Sequence, residues 1–155
     1  MTPFRKIIFL DIDGVLNNIG SMEDGRTTTR YRGCIGMCPI LVKRFNRIVK
    51  ETGADLVLSS TWRHEKIWRT TMKKSGIEKE FLGRTIDLWS ATSIRGDEVQ
   101  DWLDKQSLMS DFVVGKYVIL DDDSDFHPDQ KLFKTSFNKG LTKEIADEVI
   151  KYLNS

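Results

Sequence analysis

The sequence predicts an α/β fold, a single parallel sheet of about five strands with helices on both faces, and three observations carry that reading. Residues 6–11, 55–59 and 116–121 are runs of apolar residues that do not alternate with polar ones, the pattern of strands buried on both faces of a parallel sheet. Between the runs lie stretches with apolar residues at three- and four-residue spacing. The two kinds of segment take turns along the chain, the order of an open α/β sheet, and 155 residues suit one domain with a core of its own.

The first strand, "KIIFLD", opens the chain. Residues 17–38 follow with Gly, Thr and Arg and no periodicity, which reads as a short flap. The clearest helix spans Pro39 to Thr52, with Ile40, Leu41, Phe45, Ile48 and Val49 on one face, Pro at its start and Gly53 just past its end. Residues 55–59 form the second strand, and a helix is expected from Trp62 to Ser75, before Gly76. A strand is expected at 84–88, then a helix from Arg95 to Lys105 that lines up Val99, Trp102 and Leu103. Strands at 116–121 and 132–137 and a helix from Thr142 to Leu153 complete the series, with Thr142 suited to cap the last helix. Ligands of such a sheet bind beyond the C-terminal ends of its strands.

Bulk composition excludes several classes. With 24 Lys and Arg against 23 Asp and Glu, the net charge of +1 provides no whole-molecule attraction to nucleic acid or membrane. Two cysteines, Cys34 and Cys38, are too few for a disulfide framework, and with His64 they lack the fourth ligand and paired spacing of a zinc site. The N-terminal apolar run is too short for a signal or a membrane span, so a cytoplasmic location is expected. No GxxxxGK[ST] loop occurs, so no kinase activity is expected of the chain.

The chemistry gathers at strand ends. Asp11 and Asp13 flank Ile12 and precede Gly14; two residues apart on an extended chain point to one side, so both carboxylates can converge if the strand continues. Such a pair is tolerable only with a cation or a shared proton, and hard oxygen donors suit Mg²⁺. "VILDDDSDFHPD" places Asp121, Asp122, Asp123 and Asp125 at the end of another strand. A calcium EF-hand is excluded there, because Phe126 and Leu132 stand where that loop needs Gly and Glu. "DLVLSSTWR" delivers Ser59, Ser60 and Thr61 to the same edge, with Arg63 beyond them; hydroxyls and a guanidinium are phosphate ligands. Arg95 opens a helix and adds positive charge.

These pieces, in this order, resemble the haloacid dehalogenase-like (HAD-like) phosphohydrolase superfamily: "LDIDGV", "LVLSS", Arg95 and "ILDDDSD" match its four motifs. "FLDIDGVLN", "VLSSTWR", "RGDEVQDWL" and "VILDDDSD" are more narrowly similar to the small HAD-like domains of RNA-repair proteins, akin to a polynucleotide kinase-phosphatase's phosphatase half. The resemblance implies a HAD-like, Rossmann-like fold without a large cap. It implies a Mg²⁺-dependent phosphatase with Asp11 as nucleophile and Asp13 as general acid and base, Ser59 and Arg95 on phosphate, and metal held by Asp11, the main chain of Asp13, and Asp122, with Asp121 and Asp125 in support. Ser60 stays open as an alternative to Ser59, and Lys105 or Lys116 to Arg95. The expected substrate is a nucleic-acid or nucleotide 3′-phosphate, with Trp62 a candidate to stack on a base and Arg26, Arg30 and Arg32 to touch phosphates. The alternatives are a phosphoprotein or small-metabolite phosphatase, or a non-catalytic module that accepts a phosphoryl group or binds nucleic acid. No obligate protein partner is evident.

Overall fold

The computed structural model describes residues 3–19 and 36–155. Cys34, Arg26, Arg30, Arg32 and most of the expected flap lie outside the described residues. Five strands form one parallel sheet: β1 (Phe4–Leu10), β2 (Asp55–Leu58), β3 (Phe81–Arg84), β4 (Val113–Asp121) and β5 (Leu132–Lys134), in the order β3-β2-β1-β4-β5. Among the described residues, four α-helices connect or follow them: α1 (Pro39–Thr52), α2 (Trp68–Lys74), α3 (Arg95–Met109) and α4 (Lys143–Leu153).

β1 is central because its apolar run has no polar side. Ile7, Ile8, Phe9 and Leu10 are all fully buried. Ile8 and Leu10 meet Leu41, Phe45 and Ile48 of α1 and Val149 and Leu153 of α4, within one cluster. Ile7 and Phe9 face the other way, to Val99 and Trp102 of α3, and Phe9 packs edge-on against Trp102 at 5.4 Å. Helices therefore cover both faces, as the unbroken apolar pattern requires.

Element ends follow local chemistry. Pro39 begins α1, and Gly53 closes it in the left-handed conformation (φ 69°), its N–H donating to the Val49 carbonyl. The Thr142 hydroxyl accepts from the Ile145 N–H at the start of α4.

Three expectations need correction. The helix foreseen from Trp62 to Ser75 is a short 3-10 turn (Thr61–His64), a break, and then α2. Trp62 and Trp68 are both buried, and six helical residues would set them about 120° apart on one helix; breaking the helix lets both reach the core. The strand foreseen at 84–88 is β3 at 81–84. Its last rung is the Thr85 N–H donating to the Leu58 carbonyl, after which the sheet has no further backbone to pair and Ile86 and Trp89 are exposed. The strand foreseen at 132–137 is likewise shorter, β5 ending at Lys134.

Candidate active site

β1 does not carry its extended form through Asp13. It ends at Leu10, and the chain turns so that the N–H groups of Val15 and Leu16 both donate to the Ile12 carbonyl. Gly14 occupies this turn at φ +81°, and a Cβ there would overlap the Asp122 carboxylate. The two acids of the opening motif are thereby given different surroundings. Asp11 is buried, and its oxygens group with those of Asp121 and Asp122, one ligand atom from each lying within 4.8 Å of the others. The Asp13 carboxylate is not in that group. Its Oδ1 accepts from the Asn17 side-chain amide (2.9 Å) and its Oδ2 from the Trp62 indole N–H (3.2 Å).

The three grouped acids come from neighbouring strands. β1 and β4 pair in register from Lys6–Lys116 to Leu10–Leu120, and the Asp11 N–H donates to the Leu120 carbonyl, which sets Asp11 beside Asp121. Burial pushes the Asp11 carboxyl well above the usual carboxylate range, and the Asp121 charge adds to this while Arg95 opposes it. Burial also raises Asp121, against Arg95 and the Asp123 N–H.

Arg95 sits at the first turn of α3 and bridges two of the acids, at 2.8 Å to Asp121 and 3.6 Å to Asp11. Burial works against its charge, but Asp121 and Asp11 outweigh it and hold the guanidinium protonated. The loop after β4 fixes the helix that carries it. Asp125 accepts from the Arg95 N–H through its side chain and from the Gly96 N–H through its carbonyl, so this acid serves the start of α3. Asp97 reaches back to the Ile94 N–H, and His127 pairs with Asp97 at 2.6 Å.

The serine doublet divides its work. Ser60 caps the 3-10 turn, its hydroxyl accepting from the Trp62 N–H. The Ser59 hydroxyl is buried with no hydrogen-bond partner among the described residues, a costly state for a protein that offers it no ligand. Arg63 is buried too, but its two terminal nitrogens are spent on the Ser59 carbonyl (2.8 Å), Asp87 (2.6 Å) and Glu98 (2.9 Å). Lys105 pairs with Asp101, and Lys116 lies at the opposite end of β4, bound to the Tyr152 and Ser155 carbonyls. Arg95 is the cation the fold brings to the acids. Cys38 is a buried free thiol, and His64 pairs with Asp87.

The donor set tests well against a hard divalent ion. Three carboxylates converge from two strand ends with one guanidinium as counter-charge, and the Asp122 carboxylate makes no hydrogen bond or ion pair among the described residues. Asp121 is already engaged by Arg95 and by the Asp123 N–H. Asp11 and Asp122 are thus the acids with lone pairs to give, and Asp121 supports them.

Sequence reasoning found the acids, the serines and Arg95. It missed Asn17, a buried side chain whose oxygen accepts from the Gly14 N–H while its amide holds Asp13. Trp62, a candidate either for the core or for stacking on a base, is buried, and its indole serves Asp13. The signal for both was a polar group foreseeably close to the DxDG turn, at three residues past Gly14 and at the end of the strand beside β1.

Residues 7–146 match the family model described as the HAD domain in Swiss Army Knife RNA repair proteins. No curated protein matches the sequence. No helix among the described residues is long and apolar enough to cross a membrane.

Proposed function

Because the chain belongs to the family of HAD domains found in Swiss Army Knife RNA repair proteins, a phosphatase-type superfamily, we propose that it is a Mg²⁺-dependent phosphomonoesterase acting through an aspartyl-phosphate. The observation that carries this reading is the convergence of Asp11, Asp121 and Asp122 oxygens within 4.8 Å, with Arg95 bridging Asp11 and Asp121. Two buried acids packed against a half-buried third and a half-buried guanidinium are expensive unless a cation and an anionic substrate share the site.

Asp11 is the nucleophile. One of its oxygens bonds to phosphorus as the bond from phosphorus to the ester oxygen breaks. Asp13 gives its proton to the departing oxygen, then takes one from the water that attacks the aspartyl-phosphate, breaking the Asp11–phosphorus bond and releasing phosphate. Asn17 and Trp62 hold the Asp13 carboxyl for both transfers. The free Ser59 hydroxyl donates to a phosphoryl oxygen, and Arg95 faces the charge on the others. Ser60 and Arg63 position the loop rather than the phosphate, given their internal bonds. Asp11, Asp122 and the main chain of Asp13 would hold the Mg²⁺, with Asp121 behind them. When bound, the ion supplies Lewis-acid neutralisation of phosphoryl charge.

The substrate class we favour is a nucleic-acid or nucleotide 3′-phosphate, in line with the repair proteins named by the family. Turnover of p-nitrophenyl phosphate with and without Mg²⁺ tests the chemistry. Activity should need the ion and should vanish in Asp11→Asn while the circular dichroism spectrum is unchanged. Turnover surviving that substitution would move the nucleophile elsewhere.

A further inference from the structure

Beyond the catalytic acids, the C-terminal edge of the sheet carries a second concavity. It is about 450 Å³, and its lining includes Arg84, Thr85, Trp89 and Asp87, the last paired with Arg63 and His64. Four features set it apart from ordinary surface. Trp89 is 96% exposed, whereas Trp62, Trp68 and Trp102 are each at most 8% exposed. Thr85 is 2% exposed and its hydroxyl has no partner among the described residues; the Nε of Arg63, 5% exposed, is in the same state. Arg84 donates to the Arg63 carbonyl but makes no ion pair among the described residues, so its charge faces the concavity unneutralised. Finally, the concavity adjoins the proposed reaction centre. Arg84 lies level with Leu58, and Leu58 with Leu10, so the ends of β3 and β1 are two strand spacings apart, roughly 10 Å.

We infer that this concavity is a nucleotide subsite, in which Trp89 stacks on an unpaired base of a single-stranded polynucleotide end while Arg84 meets a backbone phosphate. An exposed indole beside an unpaired guanidinium is the pairing that single-strand binders use, since every base offers a π-face and every link a negative charge. A separation of two strand spacings allows a terminal phosphate to reach Asp11 while the adjoining nucleotide occupies the subsite. The inference rests on the phosphatase reading and adds to it the substrate's shape: a strand end with unstacked bases rather than a small metabolite or a duplex.

The test compares the full chain with Trp89→Ala and Arg84→Ala on three substrates: p-nitrophenyl phosphate, a 3′-phosphorylated single-stranded oligonucleotide, and the same oligonucleotide with abasic sites in its last three positions. The wild-type protein should prefer the base-bearing strand, and Trp89→Ala should raise KM for it about tenfold or more while leaving p-nitrophenyl phosphate turnover and the abasic strand unchanged. Arg84→Ala should raise KM for both strands and flatten their salt dependence. A Trp89→Ala protein with unaltered oligonucleotide kinetics would overturn the subsite and leave the phosphatase reading standing. If no phosphomonoester is hydrolysed at all, the phosphatase reading fails, and the subsite is judged by fluorescence. Trp89 is the exposed indole, so an unphosphorylated oligonucleotide should quench emission in the wild-type protein and not in Trp89→Ala; absence of quenching would refute it.

Discussion

Gly14 is where the two strand ends touch. Its φ of +81° suits glycine alone, and the Asp122 carboxylate fills the space a Cβ would need. Gly14→Ala should cost about 1–2 kcal/mol from the left-handed backbone and more from the displaced Asp122, read as a lower melting temperature and a weaker Mg²⁺-induced stabilisation. At this scale the sequence was informative wherever a residue's role is intrinsic to its type: DxDG announces a turn bearing acids, and an Asp run after an apolar strand announces more. It was mute where a role depends on a partner distant in the chain. Nothing local says that Ser60 caps a turn while Ser59 is left free, or that Arg63 is consumed by Asp87 and Glu98.

Among the elements, α3 links two of the motifs, because its first turn is capped by the loop that follows β4. Asp97 is central to that junction. The Ile94 N–H and then His127 hold its carboxyl below the usual carboxylate range. A depressed pKa contributes stability above the unfolded-state value of about 4, which is lost as pH falls through the lower folded-state value. Asp97→Asn should therefore lower the urea midpoint at pH 7, and the gap from wild type should close toward pH 2–3. α1 and α4 were legible to within a residue because their apolar spacing, proline, glycine and cap signals agree. β3 was misplaced because "RTIDL" is apolar enough to pass for a strand, yet the residues that pair are Phe81 to Arg84. An apolar run records a wish to leave water; whether a sheet edge is there to receive it is a property of the whole fold.

For the molecule as a whole, the balanced charge of +1 conceals a strongly acidic locus. An ion that binds only the folded chain stabilises it, by about 2.7 kcal/mol at a hundredfold excess over Kd. Mg²⁺ should raise the melting temperature, EDTA should reverse the rise, and Asp122→Asn should abolish it while itself melting no lower than the ion-free wild type, because one repelling charge is gone. The parallel α/β architecture and the strand edge that bears the chemistry could be foreseen, since both follow from patterning and order. The division of labour between Asp11 and Asp13 could not, because it depends on where β1 stops.

The sheet order has a kinetic corollary. The first strand made is the innermost one, and its neighbours are residues 55–58 on one side and 113–121 on the other. Loops of that size must close before any acid meets its counterpart. A nascent chain that has emerged only as far as α2 therefore carries the nucleophile without a pocket, and competence should arrive in one late event when β4 docks.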